Sequence, residues 1–110
     1  KLDYIFANNV FVHLNQFELY STISQCSKVL RKGGLMWFDI NDLDVCNFKS
    51  SKYFLNGLRS HNKYLLHKPE CVQPISSKIL KNMIKSIPSI KISKIYSYGQ
   101  YKHFVLKATK

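Results

Sequence analysis

Two short polar groups stand directly after apolar runs in this sequence, and each could meet a ligand. The run Tyr4-Ile5-Phe6-Ala7 is followed by Asn8 and Asn9; the run Leu35-Met36-Trp37-Phe38 is followed by Asp39, with Asn41 and Asp42 close behind. A run apolar on consecutive positions reads as a strand with both faces covered, as in a parallel sheet. Open α/β sheets hold their ligands at the carboxyl ends of such strands. At that edge Asn8 and Asn9 offer an exposed polar side chain or a bare backbone amide. Asp39, Asn41 and Asp42 either touch a substrate or form a solvated turn. His61, His67 and Cys71 are metal-ligating types, but their spacing matches no zinc pattern, so no metal site is expected.

The elements that must position these residues are legible around them. Asn15 and Glu18 have the spacing of a capping box, and Leu14 and Leu19 fall at the two positions of a hydrophobic staple. A helix is expected from about residue 16 to 32. Its buried stripe is Leu19, Ile23, Cys26 and Leu30. Lys28, Arg31 and Lys32 complement the carbonyl end of its dipole, and Gly33 supplies the left-handed residue that stops it. Val10 to Leu14 form a short turn or helical segment before it. A strand over 3 to 7 and another after Gly34, ending at Asp39, complete a βαβ unit with parallel, adjacent strands. Such units are right-handed in nearly every sheet.

From Asn41 to Pro74 no clean period survives. Phe48, Tyr53, Phe54, Leu55, Leu58, Tyr64, Leu65 and Leu66 are too many large apolar residues for a free linker. They read as one or two short helices that form a lid over the carboxyl edge, or that merely close the core. Residues 75 to 87 return to a helical period, with Ile79, Leu80, Met83, Ile84 and Ile87 facing in, Ser76 or Ser77 as cap and Pro88 as stop. Strands over 90 to 98 and 101 to 108 follow, joined by Gly99-Gln100, with glycine first as a type II′ hairpin wants. Phe104, Leu106 and Ala108 alternate with polar or partly apolar neighbours, so one face of the last strand is buried.

A chain of 110 residues builds one small domain with a single core. Its net charge of +11 invites a nucleic-acid reading. Yet fifteen of the seventeen cations are lysine, and only Arg31 and Arg59 are arginine, the preferred reader of phosphates and bases. A solvated lysine surface accounts for the charge. Cys26, Cys46 and Cys71 are odd in number and unpatterned, which suits free thiols in a reducing, cytoplasmic setting. No apolar run approaches the ~20 residues of a membrane span.

The segment Tyr4-Ile5-Phe6-Ala7-Asn8-Asn9-Val10-Phe11-Val12-His13-Leu14, then a helix, then Val29-Leu30-Arg31-Lys32-Gly33-Gly34 and a hydrophobic strand, resembles the second half of a class I S-adenosylmethionine-dependent methyltransferase. The resemblance covers residues 3 to 41, and the tail from Ile75 fits the expected last helix and two strands. It implies a Rossmann-like α/β fold: part of a doubly wound parallel sheet, ending in an antiparallel hairpin. Residues 1–110 would be the C-terminal part of one methyltransferase-like domain, with 42–74 as a lid or substrate segment. It implies S-adenosylmethionine as cofactor, with Ala7, Asn8, Asn9 and Val10 near its methionine end, and a small-molecule methyl acceptor. His13 occupies the family's frequent histidine position. There it would take a proton from the nucleophile, or else cap and pack within its own short helix. Asp39, Asn41 and Asp42 would lie toward the substrate. The family's glycine-rich turn and acidic ribose and adenine contacts have no counterpart in this sequence. The resemblance places them before Lys1, in a longer parent. The alternative from a different class is a non-catalytic basic module pairing with RNA or another chain, with Tyr96, Tyr98, Tyr101 and Lys102 as its stacking platform.

Overall fold

The computed structural model describes residues 1–45, 74–99 and 101–110. These form β1 (Leu2–Ala7), a 3-10 turn (Phe11–His13), α1 (Gln16–Val29), β2 (Leu30–Asn41), a second 3-10 turn (Leu43–Val45), α2 (Ser77–Lys85), β3 (Ile90–Tyr98) and β4 (Tyr101–Ala108). The four strands make one sheet in the order β1-β2-β4-β3. β1 and β2 are parallel neighbours, as the βαβ reading requires, with Ala7 opposite Phe38. β4 is antiparallel to both β2 and β3, so the hairpin closes the sheet as expected. Gly99, at its turn, has φ +60.

One face of the sheet carries the core. Met36, Phe38 and Ile40 of β2 and Phe104 and Leu106 of β4 are fully buried against Leu19 and Ile23 of α1 and Leu80 and Ile84 of α2. Phe38 lies between Phe11 and Phe104, with ring centroids 5.0 and 5.4 Å away. On the opposite face the expected full burial is not found. Leu35 and Trp37 are half-buried, and Trp37 stacks on Phe6 at 4.6 Å and leans on His103 at 5.0 Å. β1 also departs from its reading as a buried strand: Leu2, Tyr4 and Phe6 are 51, 53 and 63% exposed. Among the described residues β1 pairs on one side only, so it is an edge whose outward residues no described element covers.

The start of α1 is as read. Asn15 accepts hydrogen bonds from the Phe17 and Glu18 amides, and Glu18 accepts one from the Asn15 amide. Its end is not. The helix stops at Val29, and Leu30 is its C-cap, already extended at φ −76, ψ 137 and paired with Leu2 of β1. Arg31 and Lys32 therefore belong to the strand; Arg31 forms an ion pair with Asp3 across to β1. Gly33, at φ +82, is no helix stop but sits in an irregularity of β2, where pairing jumps from Leu2–Leu30 to Tyr4–Leu35. The strand pairing with β1 outweighs the helical preference of Leu30-Arg31-Lys32. Asp39 does not end β2 either, since the ladder with β4 runs on to Asn41 opposite Tyr101.

In α2, Leu80, Ile84 and Ile87 are buried and Ser76 is the cap. Ile79, expected inside, is 51% exposed, because the buried stripe of the helix is Ser77, Leu80 and Ile84 and residue 79 lies off it. The large apolar residues from Phe48 to Leu66, the three metal-type residues His61, His67 and Cys71, and all but the ends of the 42–74 segment lie outside the described residues.

Candidate functional site

The carboxyl ends of β1 and β2 lie side by side, and the sequence-chosen residues gather there. Ala7 closes β1 and is buried, while Asn8, Asn9 and Val10 are exposed beyond it. Asn9 is the one non-glycine residue with a positive φ among those described, at 57°. Asparagine reaches this left-handed region more easily than most residues, and such a turn points to a local constraint. The constraint is visible: the Asn9 amide donates to Oδ1 of Asp39 at 2.9 Å. His13 follows at the end of the first 3-10 turn and is half-buried, with Phe11 and Val12 of the same turn packed inward.

Asp39, Asn41 and Asp42 are not a solvated turn. They are 2, 0 and 0% exposed. Burial of a carboxylate demands partners, and each has work inside the scaffold. Asp39 holds the turn after β1. The Asn41 carbonyl accepts from the Ile75 amide at 3.0 Å. Oδ1 of Asp42 accepts from the Asp44 and Ser77 amides, both at 3.0 Å, and its Oδ2 faces the Lys102 ammonium at 3.4 Å.

Sequence reasoning missed Asp44. Its Oδ2 accepts from the Ser76 hydroxyl, the Ser77 hydroxyl and the Lys78 amide, at 2.9, 3.1 and 3.1 Å. The hydrogen bond from the Lys78 backbone, then that from Ser76, lowers its pKa below the ordinary carboxylate value. Asp42 and Asp44 thus satisfy the first two amide donors of α2, those of Ser77 and Lys78, while the Ser76 hydroxyl takes that of Ile79. No sequence signal could have found this, because the partners lie 32 to 35 residues apart. A depression of about 340 Å³ opens between the starts of α1 and α2, with Phe17, Leu43 and Ile79 on its walls. Asn8, Asn9 and His13 do not line it.

The four residues read as a stacking platform do not all share a face. Strand residues alternate between faces, so Tyr96, Tyr98 and Tyr101 lie on the outward side and Lys102 on the helix side, where it pairs with Asp42. Lys94 sits over the Tyr96 ring at 4.5 Å. Cys26 is a free, half-buried thiol, and burial raises its pKa. Among the described residues no group of three His, Cys, Asp or Glu side chains could hold a metal, and no helix is long and apolar enough to cross a membrane.

No protein-family model matches this chain, and no curated protein matches it. Solved structures do. The chain is similar to the mitomycin 7-O-methyltransferase at 9% identity and TM-score 0.69, covering 99% of this chain and 30% of that one. It is similar to an O-methyltransferase family protein from Burkholderia thailandensis at 10% identity and TM-score 0.65, covering 98% and 30%. The magnesium protoporphyrin IX methyltransferase of Synechocystis PCC 6803, solved with bound S-adenosylhomocysteine, matches at 11% identity and TM-score 0.58, covering 100% and 46%. The fold is therefore that of part of a class I methyltransferase domain. The chain spans about 30% of the length of the first-named structures.

Proposed function

We propose that this chain supplies part of the active site of an S-adenosylmethionine-dependent methyltransferase acting on a hydroxyl-bearing small molecule. The observation that carries the reading is the Asn8–Asn9 turn. Two exposed polar residues, one in the left-handed region, stand at the carboxyl end of β1 beside a parallel neighbour. The fold they stand on is shared with methyltransferases, one of them solved with S-adenosylmethionine and a naphthoic acid.

The residues present fit the methionine end of that cofactor. Ala7 is small and buried, Asn8 and Asn9 bring amide groups to a zwitterion, and Val10 is 54% exposed beside them. The described glycines serve β2 and the hairpin turn, so no glycine-rich turn for the adenosine end exists among the described residues. When bound, the cofactor supplies a methyl group activated on a sulfonium. The residues of this chain then bind, orient and move a proton. Asn8 and Asn9 hold the amino-acid group. His13, half-buried just beyond them, takes the proton an acceptor hydroxyl gives up. Asp39, Asn41 and Asp42 support substrate binding from beneath, by fixing the backbone at the end of β2 and the start of α2. The rate gain comes chiefly from holding the reactants in line.

The test is a calorimetric titration of S-adenosylmethionine into the full-length protein and its Asn8→Ala and Asn9→Ala variants, with melting temperatures alongside. Loss of a side chain that bonds the cofactor leaves a polar ligand group unpaired, at about 1–3 kcal/mol. That is about a tenfold to hundredfold loss of affinity. Shifts below about twofold in both variants, with the fold intact, would remove these side chains from the site.

A further inference from the structure

We infer that Asp39 is a positioning residue for the cofactor: from its buried place on β2 it fixes the turn after β1 that presents Asn8 and Asn9. The inference rests on the methyltransferase reading above and adds a residue that touches neither cofactor nor acceptor.

Asp39 lies in a stretch of β2 whose neighbours Phe38 and Ile40 are fully buried, and it is only 2% exposed itself. Nothing in the strand pairing asks for a carboxylate there, since its backbone continues the ladder opposite His103. A buried carboxylate is kept where it has a charge-assisted bond to make. Among the described residues, the one it makes reaches across 30 residues to the amide of Asn9. Asn9 is also the position that departs from ordinary backbone geometry, at φ 57°. The two unusual features are thus one feature, a left-handed turn held from below by an inaccessible acceptor. A consequence follows for the site. The Asn9 amide is committed to Asp39 and is not available to a ligand, which leaves the Asn8 backbone and the two asparagine side chains to make the contacts.

The test uses the full-length protein with Asp39→Ala, Asn9→Gly and the double variant. S-adenosylmethionine is titrated calorimetrically, and the Asn9 amide is followed by nuclear magnetic resonance. Asp39→Ala should move the Asn9 amide resonance and weaken binding about tenfold, the scale of one lost charge-assisted bond. In the Asn9→Gly background the same substitution should cost no more than about threefold, because glycine enters the left-handed region unaided. Asp39→Asn, which keeps an acceptor oxygen, should restore most of the affinity. A general loss of stability would weaken binding equally in both backgrounds, and that result overturns the inference. So does an Asn9 amide that ignores Asp39→Ala. Where Asp39→Ala does not fold, Asp39→Ser carries the same comparisons. If the wild type binds and Asp39→Ala binds equally well, the inference alone fails. If the wild type takes no S-adenosylmethionine, the functional reading fails with it.

Discussion

Gly34→Ala separates two accounts of the segment Leu30-Arg31-Lys32-Gly33-Gly34. If the helix ran to Lys32 and Gly33 capped it, Gly34 would be an ordinary strand residue. Alanine there would be neutral or stabilising by about 0.4–1 kcal/mol, through a less flexible unfolded chain. The structure says otherwise. A Cβ on Gly34 would lie 2.9 Å from the Arg31 carbonyl oxygen, 3.1 Å from the Asp3 carbonyl oxygen and 3.1 Å from Cδ2 of Leu30. Two of these three neighbours are backbone, at the point where β1 and β2 shift register, and they cannot swing aside. Forcing a methyl into packed surroundings costs about 1–3 kcal/mol, which outweighs the entropic gain. Gly33 is the internal control. A Cβ there meets nothing within 4 Å, but φ is +82, so alanine is penalised by conformation alone, while asparagine is better tolerated. Urea denaturation of the four proteins reads the difference directly. Gly34→Ala should lower the unfolding free energy by about 1–3 kcal/mol, and Gly33→Asn should cost less than Gly33→Ala. A Gly34→Ala protein as stable as the wild type would refute the register shift and return Gly33 to a helix cap.

Two further outcomes follow from the core and from the start of α2. Phe38 is fully buried between two aromatic rings, so Phe38→Ala should destabilise by about 3–5 kcal/mol in the same denaturation assay. Asp44 has a folded pKa below its unfolded value, chiefly through the Lys78 amide and the Ser76 hydroxyl. Its stabilising contribution is therefore complete above the ordinary carboxylate pKa and is lost as pH falls through the lower, folded value. Melting curves of wild type and Asp44→Asn should differ at neutral pH and converge in acid; a gap independent of pH would refute the assignment.

What was legible in the sequence was local. The capping box of Asn15 and Glu18 joins residues three apart, and the hairpin around Gly99 joins strands that adjoin in the chain, so both could be read directly. The misreadings arise where a distant partner decides. Leu30 leaves the helix because Leu2 pairs with it; Asp39 stays within the strand because β4 continues alongside it. Tyr4 and Phe6 look like core residues by type, yet exposure depends on what lies beside β1, which composition does not encode. Around the candidate site, the sequence placed Asn8 and Asn9 after β1 and Asp39 on β2, and the structure joins Asn9 to Asp39. The solvated-turn alternative for Asp39, Asn41 and Asp42 fails because their partners lie far along the chain: Asp39 reaches a backbone amide, and Asp42, with Asp44, holds a helix start.

The acidic residues explain how a chain with net charge +11 is held together. Of its six carboxylates, Asp3, Glu18, Asp39, Asp42 and Asp44 lie among the described residues, and each makes a specific joint. Asp3 ties β1 to Arg31, and Glu18 closes the α1 capping box. Asp39 holds the turn after β1; Asp42 and Asp44 hold the start of α2, and Asp42 also engages Lys102. Each of these five has a partner, although the Asp3–Arg31 pair is itself exposed, with the side chains 74 and 59% accessible. Three of the joints converge on the carboxyl end of β2. That is where the turns and helix starts around the candidate site must agree in position, and it is the geometry from which the positioning role proposed for Asp39 is argued.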